Sequence, residues 1–346
     1  MRLPPIKLDF LEAITDDTGI FQHSKFGTPN RLEGYTTDDN ARALIALTKY
    51  KRLKGGSKSD RLIDTYLSFL FHMQRADGKM HNFLGYDRCF LDDEGSEDCV
   101  GRVLWASGYV VDSRLSVEKR LLAKEIFDRA FRWACAFTSP RAEAFAVLGL
   151  SHYRKAYPED QNLIQNIEVL SDKLLKHYGK KRSNDWRWFE PYLTYVNGRL
   201  SQALFEAYQE TKQTKYIQAA EESFLFLLEV QILGNKFVPI GNKGWYKRGG
   251  QRSMYDQQSV EAASMTEAAI SAYQATGNCY YRTIADTIFN WFLGKNTQNC
   301  FVYDSATGGC YDGIIEKGLN LNMGAEATVS YLSARMELQT TKQKRK

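Results

Sequence analysis

The chain has 346 residues, 43% hydrophobic and 25% charged, with a formal charge of +5. That is a globular composition, enough for one large domain or two ordinary ones. The excess charge is local, in Lys51-Arg52-Leu53-Lys54 and the tail Lys342-Gln343-Lys344-Arg345-Lys346, and neither run is interleaved with aromatics. This excludes a nucleic-acid surface, and no stretch approaches the ~20 apolar residues of a membrane span. MRLPPIKLDF has no apolar signal core. Six cysteines (Cys89, Cys99, Cys135, Cys279, Cys300 and Cys310) form no Cys-x-x-Cys. They read as scattered thiols of a reducing compartment, here the cytoplasm, with no disulfide frame and no zinc site. Aromatics are abundant at 13%, suiting flat sugar ligands or a large core.

In chain order, "LDFLEAI" from Leu8 predicts a short helix, followed by the turn-then-aromatic loop "DTGIFQHSKF" from Asp17. "ARALIALTKY" from Ala41 predicts an Ala-rich helix, and "ADGKMHNFLGY" from Ala76 repeats the preceding loop type. Further Ala-rich or related helices start near residues 98, 142, 198, 262 and 325. Between them run amphipathic helices such as that of Leu122, Ile126, Ala130 and Trp133, and that of Leu163, Ile167, Leu170 and Leu174. The loops "LGNKFVPIGNKGWY" from Leu233 and "NTQNCFVYDSATGGCYDG" from Asn296 return to the turn-then-aromatic form, with short hairpins expected on one rim. The Ala-rich helices have small or apolar residues nearly all round, so both sides are buried; the others keep one wet face. Two concentric rings of helices follow, with the Ala-rich ring inside. The Leu8 helix then completes a sixth hairpin. No linker interrupts residues 1–338, read as one domain, and residues 339–346 read as a basic, disordered tail.

Six alternating inner and outer helices resemble an all-α (α/α)6 toroid of the six-hairpin glycosidase type. Over most of its length the sequence also resembles a bacterial family often labelled glycosyltransferase. The blocks that carry the resemblance are "GYTTDDNARAL", "SEDCVGRVLWASGY", "NDWRWFEPYLTYVNGRLSQAL", "YDQQSVEAASMTEAA", and "GGCYDGI" with "NMGAEATVSYL". The resemblance implies carbohydrate chemistry and partners among glycosyltransferases or mannoside-processing enzymes.

In such a toroid the N-termini of the inner helices face one side, so distant segments converge there. The polar starts of those helices supply Asp38, Asp39 and Asn40; Glu97 and Asp98; Asp185, Arg187, Glu190 and Tyr192; Asp256, Gln257, Gln258 and Glu261; Asp312; and Asn320, Asn322 and Glu326. One side chain per helix is needed as a cap, and acidic residues suit helix N-termini for electrostatic reasons alone. Caps do not require the neighbouring Trp186, Trp188, Tyr192, Trp245, Tyr255 or Tyr311. Glycoside cleavage does require two carboxyl groups flanking the bond, with polar groups for hydroxyls and an aromatic floor.

The expected catalytic carboxylates are therefore one of Asp39 and Asp98 with a cross-ring partner from Glu190 and Asp256. Asp38 is expected to cap. Trp186, Trp188 and Tyr255 form the expected sugar platform, Arg187 and Gln257 hold hydroxyls, and Asp38, Glu97, Tyr192, Trp245, Asp312 and Glu326 line the cleft. No phosphate-loop, metal-ligand or cofactor motif is present, so neither metal nor cofactor is expected. The reading is an inverting glycoside hydrolase acting on a short oligosaccharide or glycoside, or a phosphorylase. Two rivals remain: a sugar 2-epimerase using His23 or His81, and a non-catalytic sugar-binding accessory protein of a glycosyltransferase.

Overall fold

The computed structural model of the protein describes residues 3–343. Its helices are α1 (Asp9–Ala13), α2 (Thr37–Lys54), α3 (Asp60–Met73), α4 (Glu97–Val111), α5 (Val117–Phe131), α6 (Pro140–Ala156), α7 (Gln161–Lys181), α8 (Gly198–Thr211), α9 (Thr214–Gln231), α10 (Ser259–Thr276), α11 (Cys279–Phe289) and α12 (Ala325–Gln343). The even-numbered helices pack side by side from α2 round to α12, and α12 closes on α2. Each carries an outer partner: α3, α5, α7, α9 and α11 follow their inner helices, and α1 covers α12. This is the (α/α)6 toroid expected from the two classes of helix.

The inner helices start at residues 37, 97, 140, 198, 259 and 325. The Ala-rich pattern misses up to four residues at these starts, because a helix's first turn is polar and capped rather than apolar. Small residues dominate the inner ring because each inner helix is enclosed on several sides. Between α4 and α6 even Ala is too large: a Cβ on Gly108 would sit 2.2 Å from the Gly149 carbonyl oxygen, and one on Gly149 would sit 2.4 Å from that of Leu104. The two backbones touch there.

Helix α12 continues through Gln343, so residues 339–343 are helical rather than tail. Leu338 and Thr341 are buried, and the Thr340 hydroxyl bonds the Met336 carbonyl one turn back. Residues 344–346 lie outside the described residues.

Connections of two to five residues join each inner helix to the outer one that follows it, on one face; long loops precede the inner helices on the other. The long loops carry short strands: β1 (Ser24–Lys25), β2 (Thr28–Pro29), β3 (Tyr35–Thr36), β4 (Phe83–Leu84), β5 (Tyr192–Leu193), β6 (Ile232–Leu233), β7 (Lys236–Phe237), β8 (Tyr246–Lys247), β9 (Gln257–Gln258), β10 (Gly313–Ile315) and β11 (Gly318–Asn320). Three pairs are local hairpins, β1–β2, β6–β7 and β10–β11. The antiparallel pairs β3–β4, β5–β8 and β9–β10 instead join loops of neighbouring hairpins, with Tyr35 opposite Leu84, Tyr192 opposite Lys247 and Gly313 opposite Gln258. The rim that carries the polar helix starts is thereby cross-linked. Among the described residues no helix is long and apolar enough to cross a membrane.

Candidate active site

Residues three or four apart share one helix face, so each inner helix points a row of side chains into the bore. From α2 come Asp38, Arg42, Ile45 and Lys49; from α4, Asp98, Arg102, Trp105 and Tyr109; from α12, Glu326, Val329, Ser333 and Glu337. Carboxylates occupy the mouth on the long-loop face. Arg42, Arg102 and Arg199 form the next tier.

The mouth holds a cavity of about 190 Å³ between α10, α12 and the β9–β10–β11 sheet. Asp256, Asp312 and Glu326 supply its carboxylates, His23 its imidazole, and Asn242 and Asn320 its amides. The Asp312 carboxylate accepts the Gly324 N–H at 2.6 Å. Burial pushes Asp312 above the ordinary carboxylate range, against the pull of that N–H and of His23; nearby Glu326 adds to the rise. A Cβ on Gly324 would come 3.1 Å from Asp312 Oδ1 and 3.7 Å from His23 Nδ1. Glycine thus lets the acid and the imidazole converge.

Arg42 is the hub beside this cavity. Its Nη1 reaches Glu326 at 2.8 Å, and its Nη2 reaches Asp38 at 2.8 Å and Asp39 at 3.2 Å. Asp38 also pairs with Arg102. Asp39 is buried, and burial raises its pKa to about 6, with Arg42 opposing and Asp38 and Glu326 adding to the rise. Neither aspartate caps α2. The cap is Thr36, whose Oγ1 accepts the Asp39 N–H at 3.0 Å and donates to the Asp39 carboxylate at 2.8 Å. The expected cap at Asp38 is therefore corrected: β3 ends on a threonine in extended geometry, which already satisfies the first turn. Thr36→Ala is expected to cost about 0.5–2 kcal/mol in urea denaturation; an unchanged midpoint would show that the cap carries no weight.

A second recess of about 190 Å³ opens between α2 and α4, lined by Asp38, Asn82, Asp98, Arg102 and Tyr195. Asp98 accepts from Ser139 Oγ at 2.7 Å and Tyr195 OH at 2.8 Å. Burial and the Asp98 charge together push the Tyr195 hydroxyl pKa up, so it stays a donor. Arg141 lies 4.5 Å from the centre of the Tyr195 ring and pairs with buried Glu190 at 2.6 Å.

Several expected site residues are placed elsewhere. Trp186 and Trp188 are buried, the first packed on Phe226 and Tyr246 with its N–H on the Glu190 carbonyl. They plug the wall and offer no face for a sugar. Arg187 pairs with Glu229 of α9, on the outer ring. Gln257 is fully buried and its amide is consumed by Trp291, Thr297 and Met254, so it holds no ligand hydroxyl. Glu97 accepts the N–H groups of Thr138 and Ser139 at 2.7 Å each, tying two hairpins together. Glu190 is occupied by Arg141. Tyr255 is half-buried and its hydroxyl meets Gln298. Tyr192 and Tyr195 are exposed at the rim, with Trp245 half-buried and 6.5 Å from Tyr195. His81 is stacked on Phe90 at 4.0 Å and bonded to the Asp92 carbonyl, away from the mouth cavity.

Arg42, Arg102, Arg141 and Tyr195 were not among the expected residues. A signal exists for two of them: Asp38 and Arg42, and Asp98 and Arg102, are each one helical turn apart at an inner-helix start.

No protein-family model and no curated protein matches this chain. Solved structures do. The fold is shared with enzymes of sugar chemistry. A D-mannose isomerase superposes with a TM-score of 0.74 at 14% identity, covering 96% of this chain and 94% of that one. The cellobiose 2-epimerase of Bacillus thermoamylovorans B4167 gives 0.75 at 12% identity, covering 97% and 96%. A GH76 α-mannanase of Bacteroides thetaiotaomicron gives 0.63 at 14% identity, covering 96% and 94%.

Proposed function

We propose that the protein is a carbohydrate-active enzyme that cleaves a glycosidic bond of a short oligosaccharide at the mouth of the toroid. The observation that carries this reading is one cavity lined by a half-buried carboxyl group with a raised pKa, Asp312, and by a second carboxylate, Asp256. Asp312 is the proton donor to the leaving oxygen. Asp256 takes the proton from the water that attacks the anomeric carbon. Both carboxylates line this one cavity, Asp256 just ahead of β9 and Asp312 just ahead of β10. An inverting pair needs a separation of ~6.5–9.5 Å, which leaves room for the water. Asn242, Gln258 and Asn320 offer amides to hydroxyls, and Glu326, fixed by Arg42, places negative charge beside the developing oxocarbenium ion. Phosphate in place of water would make the same site a phosphorylase.

A second reading is supported by His23 beside Asp312 and by the superposition on the isomerase and epimerases. An imidazole backed by a carboxylate suits proton abstraction at a sugar C2. A panel of disaccharides with and without phosphate, followed by NMR in D₂O with free mannose and glucose, separates these readings. Release of a reducing sugar with inverted configuration supports hydrolysis. Sugar phosphate formed only with phosphate supports phosphorolysis. Deuterium entering C2 without bond cleavage would replace both by epimerisation or isomerisation, and binding without any product would leave an accessory role.

A further inference from the structure

The bore does not run through. Below the arginine tier, Lys49 Nζ donates to Glu267 at 2.9 Å and Ser333 at 3.1 Å and meets Glu337 at 2.8 Å, while Glu267 also pairs with Arg199. Trp105, with the Arg199 guanidinium 4.5 Å from its ring centre, lies at the same level. Beyond this plug, on the short-loop face, a separate cavity of about 230 Å³ opens among the C-terminal halves of the inner helices. None of its lining residues belongs to the mouth.

An enclosed bore is most cheaply filled with apolar side chains, yet this end is polar. Three cations, Lys49, Arg52 and Lys155, face three anions, Asp112, Glu206 and Glu337. Burial holds the His152 pKa below its ordinary value, and its ring sits against Asp112 and Tyr109. The charges balance, which disfavours a strongly charged ligand. Several groups are left short of partners. Glu206 receives Ser271 on one carboxylate oxygen, but its other oxygen lies 3.7 Å from Lys155 Nζ, too far for a hydrogen bond. Among the described residues the Tyr109 hydroxyl makes no side-chain hydrogen bond, and the exposed Arg52 and Gln274 on the rim bond no protein group. These groups are free to bond a ligand that enters the cavity.

We propose that this basal cavity is a second binding site, for a neutral polyhydroxylated molecule of monosaccharide size. Hydroxyl groups both donate and accept, which meets the neighbouring Glu206 and Lys155 and, on the rim, Arg52 and Gln274, and the Tyr109 ring offers an apolar flank. The site is independent of the chemistry at the mouth.

The test is calorimetric titration with D-glucose, D-mannose and myo-inositol, with glucose 6-phosphate and inorganic phosphate as charged counterparts. Gln274→Trp fills the cavity from the exposed rim without touching the buried network, and Glu206→Gln removes the deep acceptor charge. A binding component should weaken at least tenfold in both variants and persist in Asp312→Asn, which alters only the mouth. The proposal is overturned if no uncharged polyol binds, if binding is unchanged by Gln274→Trp in a protein of unaltered melting temperature, or if only the phosphates bind.

Discussion

Asp312→Asn is expected to lower kcat by about 10²–10⁴-fold, the range for a lost general acid, with little change in melting temperature. The amide keeps an oxygen that can accept the Gly324 N–H, so the local backbone bond survives. What it cannot do is give up a proton to a leaving oxygen. The pH dependence sharpens this. A donor must be protonated to act, and burial raises the Asp312 pKa, so kcat/KM of the native enzyme should fall as pH rises through that raised value. In the variant that alkaline limb should vanish from the residual activity. Full activity in Asp312→Asn, or an alkaline limb that stays in place, would remove Asp312 from the chemistry. Asp256→Asn should abolish hydrolysis by a comparable factor; if azide then restores turnover, the lost group was the base rather than a structural carboxylate.

The largest effect on stability is expected at the plug. Burial alone would raise the Glu267 pKa, but Arg199 and Lys49 outweigh it and hold it at about 2. The native carboxylate is therefore depressed below its unfolded value of 4.5. A depressed carboxylate stabilises the fold above the unfolded pKa and loses that contribution as pH falls through the folded one. Stability should decline between about pH 4.5 and 2, by roughly 3 kcal/mol for this group at 1.36 kcal/mol per pH unit. Glu267→Gln leaves Lys49 and Arg199 short of their shared buried partner, and removing one member of a buried pair costs about 3–5 kcal/mol. Urea denaturation at neutral pH should show that loss, and the acid decline should flatten in the variant. A cost under ~1 kcal/mol would mean that the cations are solvated from the basal cavity. Replacing Lys49, Arg199 and Glu267 together by apolar residues should cost less than the single change, because no charge is then stranded.

The ring was legible in the sequence because burial on both sides leaves an unmistakable mark: stretches such as Ala262–Ala272 have no wet face, and their neighbours do. The polar starts of the inner helices were legible for the same reason, since a charged cluster ahead of an apolar helix has to face an opening. The identity of the working side chains was less so. Trp186 and Trp188 look like a sugar platform in one dimension because two large aromatics beside Arg and Glu fit either a ligand wall or a plug. Only the packing of Phe226 and Tyr246 on Trp186 decides between them. The order of Asp38 and Asp39 turned on whether Thr36 was extended, a backbone fact that composition does not carry. Asp312 and Asp256 reach one cavity because β9 and β10, far apart in the chain, pair beside them.

The cross-linked rim bears on how a ligand is admitted. The loop before α2 is joined to the one before α4 by β3–β4, and to the loop before α12 by Met323 N–H on the Phe26 carbonyl and Ala325 N–H on that of Gln22. The loops before α12, α10 and α8 are joined in turn by β9–β10 and β5–β8. Among the described residues the loop before α6 shares no strand pair with either neighbour, and closure there rests on side chains: Glu97 on the Thr138 and Ser139 N–H groups, Ser139 and Tyr195 on Asp98, and Arg141 on Glu190. The mouth is thus a collar clasped by side chains along one segment, the loop before α6. A guest that competes for Asp98 or Arg141 would loosen the collar at the very point it touches, so the recess beside Tyr195 is where the gateway yields first.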